Sequence, residues 1–161
     1  MELDRTVSRI FLPDDTSWLK HANPWSVWTR FATLPFIILA IWSRVWMGWY
    51  FLIPLSVLVF WIFINPTLFK QPKNFDSWAA KAVLGERMLM KRKEHPIPIN
   101  HKNLFAILNI IQAVGVCILA YGLFNLSIYL TLHGMTIVYL AKMWFLDRMV
   151  WLYEDMSKDR A

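Results

Sequence analysis

"NLFAILNIIQAVGVCILAYGLFNLSIYLTLHGMTIVYLA", residues 103–141, runs for 39 residues with no charge other than one His133 would carry if protonated. A helix that crosses a bilayer needs about 20 mostly apolar residues. The stretch therefore holds two spans that turn at "GLFNLS" (122–127), and it predicts helices over 104–124 and 126–146. Positions 45–69 are also free of charge and supply a span over 45–64. Arg30 and Arg44 bracket a further charge-free run, "FATLPFIILAIWS" (31–43), which crosses as 26–43 if Arg30 snorkels along its own stem. With 57% hydrophobic and only 17% charged side chains, the 161-residue chain is too apolar for an ordinary soluble domain of its length. The predicted fold is all-α: four transmembrane helices as two hairpins, in a single membrane domain over 1–161.

Lysine and arginine set the orientation, because positive residues in short loops stay on the cytoplasmic side. The segment 65–103 carries eight: Lys70, Lys73, Lys81, Arg87, Lys91, Arg92, Lys93 and Lys102. The first hairpin turn carries only Arg44, and "GLFNLS" carries none. Arg5, Arg9 and Lys20 at one end and Lys158 and Arg160 at the other join the basic side. The expected location is the inner, cytoplasmic membrane, multi-pass, with both termini inside. The acidic start "MELDRTVSRIFLPDD" lacks the pattern of a cleaved signal peptide, so the first span is expected to act as a retained insertion signal. Trp42, Trp46 and Trp49 are placed in an outer aromatic belt, and Trp25, Trp28, Trp61, Trp144 and Trp151 in an inner one.

Between the hairpins, "NPTLFKQPKNFD" (65–76) reads as extended, and Asp76 is positioned to cap a helix running to about 94. At 100° per residue, Trp78, Ala79, Ala82, Val83, Gly85, Leu89 and Met90 share one face, with Lys81, Arg87, Lys91 and Arg92 mainly elsewhere. That is an amphipathic helix expected to lie on the cytoplasmic membrane surface. Glu86 projects from within the apolar face and needs a cation or a proton there.

Several polar residues fall at costly positions. In "HANPWSVWTR" (21–30), Asn23 followed by Pro24 is a helix start. Arg30 lies about two turns farther in, suited either to snorkelling or to pairing with a buried carboxylate, for which Glu86 is the candidate. If 103–141 is a hairpin turning near residue 125, Asn109 comes level with Lys142 and Gln112 with Tyr139. These residues either bond helix to helix or line a small pocket open to the cytoplasm. Asn65 reads as an inner cap of the second span, and Asp147 and Arg148 end the fourth. The ligand-binding candidates are Arg30, Glu86, Arg87, Asn109, Gln112, Lys142 and Asp147; the catalytic candidates are Glu86, His21 and His101.

Metal chemistry is not indicated. His21, His95 and His101 share no ligand spacing, and His133 has no histidine at matching depth for haem, so hydrogen-bonded packing beside Gly134 and Thr136 is expected of it. Cys117 reads as mid-span packing. No G-x-S-x-G and no phosphate-cradling glycine loop occurs. "KRK" (91–93) beside an amphipathic helix favours anionic lipid over nucleic acid as its partner.

The strings "HANPWSVWTR", "NPTLFKQP", "WAAKAVLGER" and "WFLDRMVWLYED", spread over roughly 18–156, resemble a family of small prokaryotic integral membrane proteins without assigned function. The resemblance implies one membrane domain and no particular reaction or cofactor. Three functional classes stay open. The leading one is binding of a lipid or a partner membrane protein, or a second copy of the chain, through the cytoplasmic face. The second is a small enzyme acting on a lipid-like substrate in a cytoplasmic-side pocket, with Glu86 as acid or base. The third is an oligomeric transporter or channel.

Overall fold

The computed structural model describes residues 15–92 and 97–158; Arg5, Arg9, Lys93, His95 and Arg160 lie outside the described residues. Among the described residues all regular structure is helical: α1 (Asp15–His21), α2 (Pro24–Trp42), the short α3 (Arg44–Met47), a 3-10 turn (Gly48–Phe51), α4 (Leu52–Leu68), α5 (Trp78–Met90), α6 (Ile99–Phe124) and α7 (Ile128–Lys158).

The start of α2 follows from its sequence. The Asn23 side chain accepts from the Trp25 amide at 2.9 Å, and Pro24 occupies the first turn, where its missing N–H costs nothing. The second predicted span is displaced: α4 begins at Leu52 rather than 45, because residues 43–51 are spent on a compact turn. At its other end α4 continues past residue 64 to Leu68, so Asn65 is inside the helix and fully buried rather than an end cap. Both the oxygen and the nitrogen of its amide are bonded. Ser26 Oγ donates to Asn65 Oδ1 at 2.8 Å, and Asn65 Nδ2 donates to Thr29 Oγ1 at 2.8 Å, which clasps α2 to α4 in antiparallel register. Farther out, Asn23 Nδ2 donates to the Lys70 carbonyl at 2.9 Å. Arg44 extends from the turn to the carbonyls of Leu123 and Phe124, where it completes the C-terminus of α6 and joins the two hairpins at that end.

α6 and α7 form the second hairpin, and at the end away from its turn both helices run farther than the predicted 104–124 and 126–146. Their backbones meet at Gly134, where an added Cβ would overlap the Leu119 backbone. Cys117 and His133 both face outward on this hairpin rather than packing inside; His133 Nδ1 lies 2.7 Å from the Tyr129 carbonyl.

The cap of helix α5 is one residue later than predicted, Ser77 accepting from the Ala80 amide at 3.3 Å in place of Asp76, and the helix ends at Met90 rather than near 94. Its apolar face was assigned correctly, but what that face contacts was not. Ala79, Ala80, Ala82, Val83, Gly85 and Leu89 are buried within the protein, against α1 and α7, so they are not left to rest on a membrane. At Gly85 a Cβ would overlap the Met149 carbonyl, which only a glycine-width contact permits. The main core gathers here, around Leu108, Phe145, Met149 and Leu152.

Among the described residues, two segments are long and apolar enough to cross a membrane, Pro24–Leu68 with 45 residues and His101–Phe124 with 24. Their most apolar stretches are 0% and 22% buried in the protein, whereas a soluble core helix would bury most of its length. Phe36, Leu39, Ile53, Val57, Phe60, Ile110 and Val114 all face outward. Apolar surface that continuous is expected to meet lipid or another protein. α7 falls short of the same measure because Thr131, His133, Thr136 and Lys142 interrupt it.

Candidate functional site

Pro35 sits inside α2 and has no N–H, so the Phe31 carbonyl four residues earlier loses its intrahelical donor. Tyr139 of α7 supplies the replacement, donating its hydroxyl to that carbonyl at 2.7 Å. The bond holds the two hairpins together at one level. Just below it they separate around a pocket.

The pocket has a volume of about 300 Å³ and is lined by His21, Val27, Arg30, Phe31, Leu34, Val83, Glu86, Gln112, Val138, Tyr139, Lys142 and Leu146. Arg30 is one and a half turns into α2. Its Nε donates to the Ser26 carbonyl at 2.9 Å, and its Nη1 lies 2.9 Å from His21 Nε2. A guanidinium only donates, so Nε2 is the acceptor and the imidazole proton resides on Nδ1. His21 is thus neutral. Burial, then repulsion from Arg30 and from Lys142, holds its pKa well below the ordinary 6.5. Its Nδ1 is buried without a hydrogen bond.

Across the pocket, Lys142 Nζ stands 4.0 Å from Glu86 Oε1 and 5.1 Å from the centre of the Phe145 ring. The nearest cation to Glu86 is therefore Lys142, whereas the sequence nominated Arg30. At 4.0 Å the pair attracts but does not form a hydrogen bond.

The structure brings together His21, Arg30, Glu86, Gln112 and Lys142 from the sequence candidates. The others lie elsewhere. His101 is 3.2 Å from Asp155 and stacks on Phe105. Asn109 is exposed on α6, because the helix turns it away from α7. Asp147 accepts from Trp78 Nε1 at 3.4 Å and has Arg148 at 3.6 Å. Arg87 is on α5 outside the pocket lining. Tyr139 was placed at the right depth, but its role went unread; Pro35, which orphans one carbonyl, was the available signal. No group of three metal-ligating side chains occurs among the described residues.

Comparison with protein families matches residues 2–161, a range that includes every residue of the pocket. The chain belongs to DUF6653, a family of unknown function. No curated protein and no solved structure matched this DUF6653 chain. Family membership thus agrees with the expected likeness to a family without assigned function and assigns no chemistry to the pocket.

Proposed function

We propose that this DUF6653 protein is an integral membrane protein of the inner membrane that binds a membrane-soluble ligand in the pocket between α2, α5 and α7. In this reading α2, α4, α6 and α7 each cross the bilayer, with both termini and α5 on the cytoplasmic side. The apolar surface of both hairpins and the exposed Lys20, Lys70, Lys73, Lys102 and Lys158 at one end support that frame.

One observation carries the ligand reading: Arg30, Lys142 and Glu86 converge, with His21, Gln112 and Tyr139, in a pocket whose remaining walls are apolar, among them Phe31, Leu34 and Val138. Charged side chains in an apolar setting are costly, and where they gather around a cavity they mark a site. Because the apolar face of α5 is used inside the protein, the pocket replaces that helix as the place where lipid is held. The test is native mass spectrometry of the full chain extracted in mild detergent. Wild-type protein is expected to carry a stoichiometric lipid-sized adduct that Lys142→Gln loses; a wild-type spectrum without any adduct, before and after incubation with total membrane lipid, defeats the reading.

Glu86 and a neutral His21 in one pocket favour a second reading, in which the two serve as acid and base toward the bound ligand. Incubation with extracted membrane lipids, followed by mass spectrometry, is then expected to show a product that Glu86→Gln abolishes while binding persists.

A further inference from the structure

The pocket's charges are left with hydrogen-bonding capacity that the protein does not use. Arg30 commits Nε and Nη1 inside the protein, and Nη2 makes no hydrogen bond among the described residues. Lys142 Nζ has three donors and no acceptor within hydrogen-bond distance, since its contact with Glu86 is 4.0 Å. Glu86 is only 23% exposed and accepts no hydrogen bond among the described residues, although a largely buried carboxylate gains most from charge-assisted donors. Two cations face one carboxylate and a neutral His21, so the site carries one net positive charge. A volume of about 300 Å³ is at the small end for a ligand pocket, enough for a head group but not for a two-chain lipid.

We infer that the pocket selects a phospholipid head group combining one anionic phosphate with a hydrogen-bond donor, an alcohol or a primary ammonium. Arg30 and Lys142 hold the phosphate, and Glu86 accepts from the donor. This inference rests on the pocket being a ligand site. With an alcohol as donor, the single negative charge of a phosphodiester balances the net charge of the site; with a primary ammonium, the added positive charge is set directly against Glu86. The donor is required because without it Glu86 stays desolvated and unsatisfied beside the ligand, a cost that a trimethylammonium head group cannot relieve. Phe31, Leu34 and Val138 continue the pocket as an apolar wall, suited to the glycerol and first methylenes rather than to a bare soluble phosphate.

The experiment titrates full-length protein in detergent with dioleoyl phosphatidylglycerol, phosphatidylethanolamine and phosphatidylcholine, reading bound fractions by native mass spectrometry. Phosphatidylglycerol and phosphatidylethanolamine are expected to bind about tenfold tighter than phosphatidylcholine. Glu86→Gln is expected to shrink that preference to about threefold or less without abolishing binding. Lys142→Gln weakens all three lipids, and Lys142→Arg restores them, which separates lost charge from lost fold. Equal binding of phosphatidylcholine by the wild type, or an unchanged preference in Glu86→Gln, overturns the inference while leaving a ligand site. Glycerol phosphate binding as tightly as phosphatidylglycerol overturns the lipid assignment. Absence of any lipid binding is a different failure, that of the pocket reading itself.

Discussion

Helix α7 borders two seams of opposite character. Against α5 and α6 it closes through glycine, with Gly85 lying on the Met149 carbonyl and Gly134 on the Leu119 backbone, so nothing fits between. Against α2 it makes one reaching bond, from Tyr139 to Phe31, and then opens into the pocket of Arg30, Glu86 and Lys142. Backbone-to-backbone contact maximises dispersion and leaves no polar group wanting a partner. Long charged side chains hold helices apart and keep unspent hydrogen-bonding capacity. One flank of the same helix is scaffold and the other is a site, so mutations on the two flanks are expected to fail in different ways.

The largest effect is expected on the closed side. Gly85→Leu drives a side chain into the Met149 backbone and should cost more than about 3 kcal/mol, seen as loss of the folded peak in size-exclusion chromatography. A fully folded Gly85→Leu protein would break the contrast between the seams.

A pH effect on the open side comes next. The folded protein holds His21 neutral, with Arg30, Lys142 and Glu86 lining the same pocket and Trp18 edge-on to the imidazole. The unfolded chain takes up the proton near 6.5 and the folded one only well below it. Unfolded protein then binds more protons in that window, so stability falls as pH drops below 6.5, by at most about 1.4 kcal/mol per pH unit. Unfolding in detergent, followed from about pH 7.5 down to 5, should be flat at first and show this slope below 6.5, and His21→Gln should remove it.

Tyr139→Phe removes the single bond across the open seam and should cost about 1 kcal/mol by the same measurement. Combining it with Pro35→Ala sharpens the explanation, since alanine returns an N–H to the Phe31 carbonyl. The double variant should recover most of the loss; if it does not, the proline is not why Tyr139 matters. The smallest effect on stability belongs to Lys142→Gln, within about 0.5 kcal/mol, because its nearest carboxylate is beyond hydrogen-bond distance. Its effect is expected in ligand retention alone.

Arg30 and Arg44 show how far sequence reading reached. Both bracket the same charge-free run, and only Arg30 stood out as costly, yet Arg44 too has a distant partner: it completes a helix end 79 residues away while Arg30 enters the pocket. Local pattern gave each its depth; neither partner was local. Asn23 and Pro24 were legible because a cap is satisfied within a few residues. Asn65 was not, since its partners Ser26 and Thr29 lie on another helix. The apolar face of α5 was readable from periodicity, but periodicity does not say whether such a face meets lipid or protein.

By itself, the sequence determined an all-helical chain, the positions of its long apolar segments, the capped start of α2, and which polar residues sit where apolar ones were due. Those properties follow from residue period, hydropathy and chain-local hydrogen bonds. Tertiary structure alone decided that α5 is buried against α7, that Asn109 and His101 stay out of the pocket, and that Lys142 rather than Arg30 stands closest to Glu86. Each of those depends on the rotation of one helix about its axis relative to another, and that rotation is set by where backbones can touch, as they do at Gly85 and Gly134.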